Sequence, residues 1–304
     1  MAEVKLLALT DLHMSNIKPA GRIGTFVEDV DIKLNEVISI VKEEKINAVI
    51  CGGDVFHSAA PAFSTIIRFI TFVECLDIPF ITIAGTHDLI GTNLDALYRT
   101  ALGFLERISK IVLLSEGTRT VTKVGDVVIG VRPASVTGIE LVHECVLPMP
   151  TFGDYTLISE YNTSAKLVMV GHYHSGFEDV NSNGTLYIGP GSFVRMSAHT
   201  SELTRRPRIG IITVENDNYS IRWRELTTAK NGMDVLEQPI IAPKIDFANL
   251  VKTWVETTPD IVDAYTLMDI IATEDNVNKD VIDYTTKLLE EVKNPDESKS
   301  SRSK

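Results

Sequence analysis

Six of the seven histidines lie within a few residues of a carboxylate or of another histidine, in short turn-like motifs. In chain order these are Asp11-Leu12-His13, Gly53-Asp54-Val55-Phe56-His57, Gly85-Thr86-His87-Asp88, His143-Glu144 and Gly171-His172-Tyr173-His174, and His199 stands apart. Imidazole nitrogens and carboxylate oxygens together form a mixed ligand set that suits Mn, Fe or Zn. Two such ions about 3.5–4 Å apart clamp the attacking and leaving oxygens of a phosphoryl transfer, and coordination lowers the pKa of a water to roughly 7. On an extended segment residues i and i+2 point the same way, so Asp11 and His13 can reach one ion. His172 and His174 repeat that spacing and either share an ion or divide between two. Asp54 has two oxygens and can bridge two metals, and the glycines before it allow a tight turn and a close backbone approach. Any one motif is a weak signal. Five in one chain, using nearly every histidine, point to a dinuclear metallo-hydrolase.

The elements that must position these residues are legible as apolar runs. Residues 4–10, 48–51 and 79–84 read as buried strands, each running into a motif. Residues 27–44, 65–76 and 94–108 carry helical apolar spacing. Strand and helix therefore alternate three times, the pattern of a parallel sheet with helices on its faces. The motifs fall at the carboxyl ends of strands, where open α/β sheets place ligands. Beyond residue 110 the pattern changes. Residues 121–123 and 127–131 flank a Gly125-Asp126 turn, and 166–170, 185–188, 209–214 and 219–223 read as further strands. This half is expected to form a mostly antiparallel second sheet. The expected fold is α/β, a two-sheet β-sandwich flanked by helices. Residues 1–228 form the catalytic domain, 229–240 a linker, 241–293 a small helical unit and 294–304 a polar disordered tail.

Composition bounds the rest. The chain has 304 residues and a net charge of -12, which sets it apart from proteins that clamp nucleic acid with a basic face. Its three cysteines, Cys51, Cys75 and Cys145, are too few and too scattered for a disulfide framework; Cys51 and Cys75 read as core residues, and the compartment as reducing, most simply the cytoplasm. The first ten residues read as a strand rather than a signal peptide. No apolar stretch approaches the roughly 20 residues needed to span a bilayer.

The motif order Asp11-x-His13, Gly53-Asp54, Gly85-Thr86-His87-Asp88, His143 and Gly171-His172-x-His174 resembles that of the calcineurin-like metallophosphoesterase superfamily, over about residues 4–225. Within it, Gly52-Gly53-Asp54-Val55-Phe56-His57-Ser58 and Tyr187-Ile188-Gly189-Pro190-Gly191-Ser192 with Arg195 resemble blocks of the SbcD-type DNA-repair nuclease subunits. That resemblance implies two divalent ions, Mn first, with Fe, Zn or Mg as alternatives. Asp11, His13, Asp54 and His174 would hold metal 1, and Asp54, Thr86, His143 and His172 metal 2. His87 would contact the scissile phosphate and protonate the leaving oxygen. Asp88 would fix the tautomer of His87. His57 would position the phosphate or a DNA end, or else is a surface-loop histidine. The implied activity is a Mn-dependent DNA exo/endonuclease working with an SbcC-type ATPase, as a homodimer and without a membrane. In the 241–293 unit, Trp254 or the last helix is a candidate docking element.

One position departs from the family pattern. Thr86 stands where an asparagine amide is expected, and a hydroxyl is a shorter and poorer neutral ligand. This keeps two alternatives open, a stand-alone phosphoesterase on a non-DNA substrate and a weakly active regulatory subunit. Arg205, Arg206 and Arg208 form a short basic stretch, read either as a phosphate contact or as a solvated loop. Trp223 reads as sheet packing.

Overall fold

The computed structural model describes residues 3–116, 119–151, 154–197 and 200–237. The expected 241–293 unit, the 294–304 tail and His199 lie outside them. In chain order the elements are β1 (Val4–Leu9), α1 (Phe26–Glu44), β2 (Ala48–Cys51), α2 (Phe63–Leu76), β3 (Phe80–Ile83), a 3-10 helix (Leu94–Arg99), α3 (Ala101–Arg107), β4 (Val112–Leu114), β5 (Val121–Val124), β6 (Val127–Gly130), β7 (Ile139–Val142), β8 (Val146–Leu147), β9 (Thr156–Leu157), β10 (Leu167–Val170), β11 (Phe177–Ser182), β12 (Thr185–Gly189), α4 (Thr200–Thr204), β13 (Arg208–Glu215), β14 (Asn218–Glu225) and α5 (Gly232–Val235).

They build a sandwich of two six-stranded sheets, ordered β14-β13-β1-β2-β3-β4 and β11-β12-β10-β7-β6-β5, with β8 and β9 as a separate pair. Every residue of β2, β3, β7 and β10 is buried, as expected of strands covered on both faces. Alternation divides the side chains of β1 and β2. Leu6, Ala8, Ala48 and Ile50 meet Ile129, Leu141 and Met169 of the second sheet. Leu7, Leu9, Val49 and Cys51 face the opposite way, against Val30, Leu34, Phe69, Leu102 and Leu105 of the helices. The outer face of the second sheet is covered by Val146, Ile158 and Tyr161, which pack on Val168, Val170 and Tyr187.

The two-sheet α/β architecture is as expected, and four details differ. The second sheet is parallel at its centre, where β6, β7, β10 and β12 run together, and antiparallel only at its edges. Its central strands β7 and β10 are buried along their whole length without alternation, the sign of a parallel sheet. The β13–β14 hairpin, expected in the second sheet, joins the first through antiparallel pairing of β13 with β1. Its turn places Asn216 and Asp217 at positive φ, the conformation a tight hairpin needs. The single helix expected over 94–108 breaks at Thr100, whose hydroxyl accepts from Gly103 N–H and so caps α3. Cys51 is buried, but Cys75 is exposed on the solvent side of α2.

The first part of the expected linker packs on the domain. Ile23 N–H donates to Val235 O, Glu237 N–H donates to Gly21 O, and Val235 and Leu236 are buried. No helix among the described residues is long and apolar enough to cross a membrane.

Candidate metal centre

The loops after β1, β2, β3, β7 and β10 converge at one end of the sandwich. The parallel ladder continues past the strand ends, with Asp11 N–H donating to Gly53 O, His13 N–H to Asp54 O and Gly171 N–H to Val142 O, at 2.8–3.0 Å. Gly52 and Gly171 leave no room between these loops, since a Cβ on Gly52 would lie 2.8 Å from Thr10 Oγ1 and 3.3 Å from Gly171 Cα.

Asp11, His13, Asp54 and His172 all have positive φ, at 53°, 40°, 51° and 72°. Asp11 and His13 are therefore not paired by strand alternation, as their i, i+2 spacing suggests. Each reaches inward from a left-handed kink, a conformation rare for residues other than glycine but one that Asp and His tolerate better than most. Such backbone costs about 1–3 kcal/mol per residue and concentrates at functional sites.

The side chains form two adjoining clusters, Asp11–His13–His174 and Asp11–Asp54–His143, each with ligand atoms within 4.8 Å of one another. His13 Nε2 lies 3.0 Å from His174 Nε2. Asp54 stands between the clusters, its Oδ2 3.7 Å from His13 Nε2 and 3.3 Å from His143 Nε2. The His172 ring lies beside His143, with centroids 5.1 Å apart. Asp11 Oδ2 accepts from Thr10 Oγ1 and from His172 N–H, which leaves Oδ1 facing His13 and His174 at 3.8 and 3.5 Å.

The donor set fits divalent cations on an independent ground. Asp11 Oδ1 and His143 Nε2 are buried and have no hydrogen-bond partner, an arrangement that costs about 1–3 kcal/mol per group unless something pairs with it. His143 Nδ1 lies 2.6 Å from Gly52 O. A carbonyl only accepts, so Nδ1 carries the proton and Nε2 presents its lone pair to the site. Burial holds His13 neutral down to about pH 3, as a coordinating imidazole requires. Burial also pushes the His143 imidazolium down, but the Asp54 and Asp11 carboxylates more than offset this and lift its pKa. Those carboxylates attract a proton where a cation would serve.

His87 and His57 lie on the rim. Their rings stack at 4.9 Å and 21°, and both stand beside His13. His87 N–H donates to Asp54 Oδ1 at 2.8 Å, and His87 Nδ1 lies 3.1 Å from His57 O. That carbonyl fixes the Nδ1–H tautomer and leaves Nε2 free. Asp88, expected to orient His87, points elsewhere. Its carboxylate is fully buried and accepts from Val55, Phe56 and Gly85 N–H. It ties the Asp54 loop to the His87 loop and acts by positioning. Burial raises its pKa to about 7. Thr86 is exposed on the same loop.

Sequence reading missed the scaffold beneath these residues. Ser192 N–H donates to His174 O, Phe193 N–H to Thr10 O and Ser192 Oγ to Asp11 O, so one segment ties both halves of the Asp11–His13–His174 cluster together. Lys33 of α1, fully buried, donates to Phe193 O. The Pro190-Gly191-Ser192 block was the visible signal, and Lys33 gave none. The 205–208 arginines are mostly committed internally. Arg205 bonds Glu202 and the Ser192 and Val194 carbonyls, and Arg208 stacks on Trp223 at 4.0 Å.

The calcineurin-like phosphoesterase family model matches residues 4–176. No curated protein matches the chain. Among solved structures, a dimetal phosphatase from Danio rerio aligns with a TM-score of 0.51 at 8% identity, covering 73% of this chain and 96% of that one. A purple acid phosphatase from yellow lupin (Lupinus luteus) seeds aligns at 0.46 and 14% identity, covering 76% of this chain and 52% of that one. The family match takes in all five motifs and runs across more than half of the sequence, so the chain belongs to the calcineurin-like phosphoesterases and is a metal-dependent hydrolase.

Proposed function

We propose that this hydrolase cleaves DNA phosphodiester bonds, as a Mn-dependent exo/endonuclease subunit that works with an SbcC-type ATPase and a second copy of itself. The observation that carries this reading is the rim histidine pair. His57 extends the cluster to His13–His57–His87, and it belongs to the Gly52–Ser58 block that resembles SbcD-type nucleases. The buried Nδ1 of His57 has no hydrogen-bond partner, so that nitrogen does not tie the ring to the protein and the ring is free to turn toward a phosphate or DNA end at the rim. The net charge of -12 fits a division of labour in which the partner supplies most of the affinity for DNA.

Asp11, His13, Asp54 and His174 would hold one ion, and Asp54, Thr86, His143 and His172 the other. When bound, such ions stabilise charge on the phosphoryl oxygens and make a water acidic enough to attack. The protein's own contribution is orientation and proton handling. Asp54 C=O accepts from His13 N–H and its Oδ1 from His87 N–H, so its side chain stays between the two clusters. His87, with Nδ1–H held by His57 O, offers Nε2 to protonate the leaving oxygen. Thr86 supports a second reading, a weakly active regulatory subunit, because its hydroxyl replaces an amide ligand.

The deciding assay is degradation of linear single- and double-stranded DNA with Mn, with and without chelator. Chelator-sensitive cleavage that falls about 10²–10⁴-fold in His87→Ala supports the nuclease. Cleavage of a chromogenic diester alone overturns it in favour of a non-DNA phosphoesterase. An inactive wild type that gains activity in Thr86→Asn establishes the regulatory reading.

A further inference from the structure

A second feature lies beside the metal centre and shares one wall, His143, with it. A cavity of about 250 Å³ opens between the ends of the two sheets, where β3, β4, β6 and β7 finish. His143 lines it and also faces Asp54 in the metal cluster. Ala84 lines it too and leads directly into the Gly85–Asp88 loop. A group in the cavity would therefore adjoin a phosphate at the ions.

Its chemistry is selective. Glu116, Glu140 and Glu144 give it three carboxylates against one guanidinium, Arg132. That guanidinium is already engaged, with Nε donating to Glu140 Oε1 at 3.1 Å and Nη2 to Asn162 O. A phosphate would be repelled here, while a neutral group rich in N–H donors would be favoured. Glu140 is built in firmly. It is 3% exposed, accepts from Tyr161 Oη at 2.8 Å and from Thr163 Oγ1, and its partner Arg132 stacks on the Tyr161 ring at 4.1 Å. A buried carboxylate is a poor way to gain stability alone. The remaining walls include Ile83, Leu94, Leu114 and Val131, apolar surfaces suited to the face of an aromatic ring. The volume falls below the roughly 300–1,000 Å³ of drug-sized sites and suits one heterocycle.

We propose that this cavity is a nucleobase subsite, holding the base next to the scissile phosphate. The proposal rests on the phosphodiester reading above and supplies its substrate class. Metal-free protein is titrated by calorimetry with deoxyadenosine, 2-deoxyribose and inorganic phosphate. Deoxyadenosine is expected to bind with millimolar affinity, and the other two not to bind. Leu94→Trp places an indole at the half-exposed lip of the cavity and is expected to weaken deoxyadenosine at least tenfold. Glu116→Lys, on an exposed position, is expected to weaken it in the same direction. No binding of deoxyadenosine, binding by both variants equal to that of the wild type, or displacement by phosphate overturns the subsite. Nucleoside binding without DNA cleavage would retain the subsite and remove the nuclease, and DNA cleavage with unaltered nucleoside binding in the variants would do the reverse.

Discussion

At the scale of single residues, the centre depends on atoms that are not ligands. Asp11 has one oxygen saturated by Thr10 and His172 N–H and one left bare, so its coordinating face is set by its neighbours. Ser192 anchors the Asp11 carbonyl from below at 3.0 Å. Outer partners of this kind are worth about 10–100-fold in metal affinity. Ser192→Ala is therefore expected to weaken binding of the ion at the Asp11–His13–His174 cluster about tenfold, measured by metal titration of the purified chain. An unchanged affinity would mean that the Ser192–Asp11 link is incidental. The ligand types were legible in the sequence because histidines beside aspartates are uncommon. The roles of Thr10, Ser192 and Lys33 were not, since their partners lie far away along the chain.

At the scale of elements, glycine-rich strand ends and a helix-borne clamp hold the loops. Gly53 has a φ of +98°, and a Cβ there would lie 2.6 Å from His143 Nδ1 and 3.0 Å from Gly85 N. Gly53→Ala is expected to destabilise the fold by about 1–3 kcal/mol and to displace His143, read out as a lower denaturation midpoint together with loss of one metal equivalent. Elsewhere, Glu36 of α1 grips the turn after β14, accepting from the N–H and hydroxyl groups of both Thr227 and Thr228. Burial pushes this carboxyl up, and the four hydrogen bonds more than offset it, so its pKa lies below the ordinary 4.5. On acidification the unfolded chain takes up this proton before the folded one does. The clamp's contribution is complete above pH 4.5 and fades as pH falls through the lower folded value. Glu36→Gln should lower Tm by about 2 °C at pH 7, and the gap should close as acid protonates the folded carboxyl. A gap that persists in acid would show that the charge is not what holds the turn.

At the scale of the molecule, the charge balance and the buried sandwich decide what the chain can do alone. A DNA-binding protein with 6–10 phosphate contacts loses about 10³–10⁵ in affinity between 50 and 200 mM salt. With a net charge of -12 and two of the three clustered arginines committed internally, this chain by itself should lose less than about tenfold over that range. Fluorescence anisotropy with a labelled oligonucleotide tests this, and a steep salt slope would reveal a basic groove that the sequence does not advertise. On the proposed nuclease reading, the rim would recognise DNA through His57, His87 and the acidic cavity at Glu140, and long-range attraction would come from a partner.

The sequence by itself determined the ligand chemistry and the two-sheet α/β class. Ligand types, their order, and strands ending at each motif follow from local composition and periodicity, which any contiguous stretch carries. Tertiary structure alone decided the geometry. Left-handed kinks at Asp11, His13, Asp54 and His172 replace the strand alternation that spacing suggested, because the loops are locked to one another rather than to their own strands. The parallel centre of the second sheet, the transfer of β13 and β14 to the first, the diversion of Asp88 from His87 to backbone amides, and the Glu140 cavity all arise from contacts between distant segments. Such pairings are chosen by packing and hydrogen-bond satisfaction over the whole fold, and no local window records them.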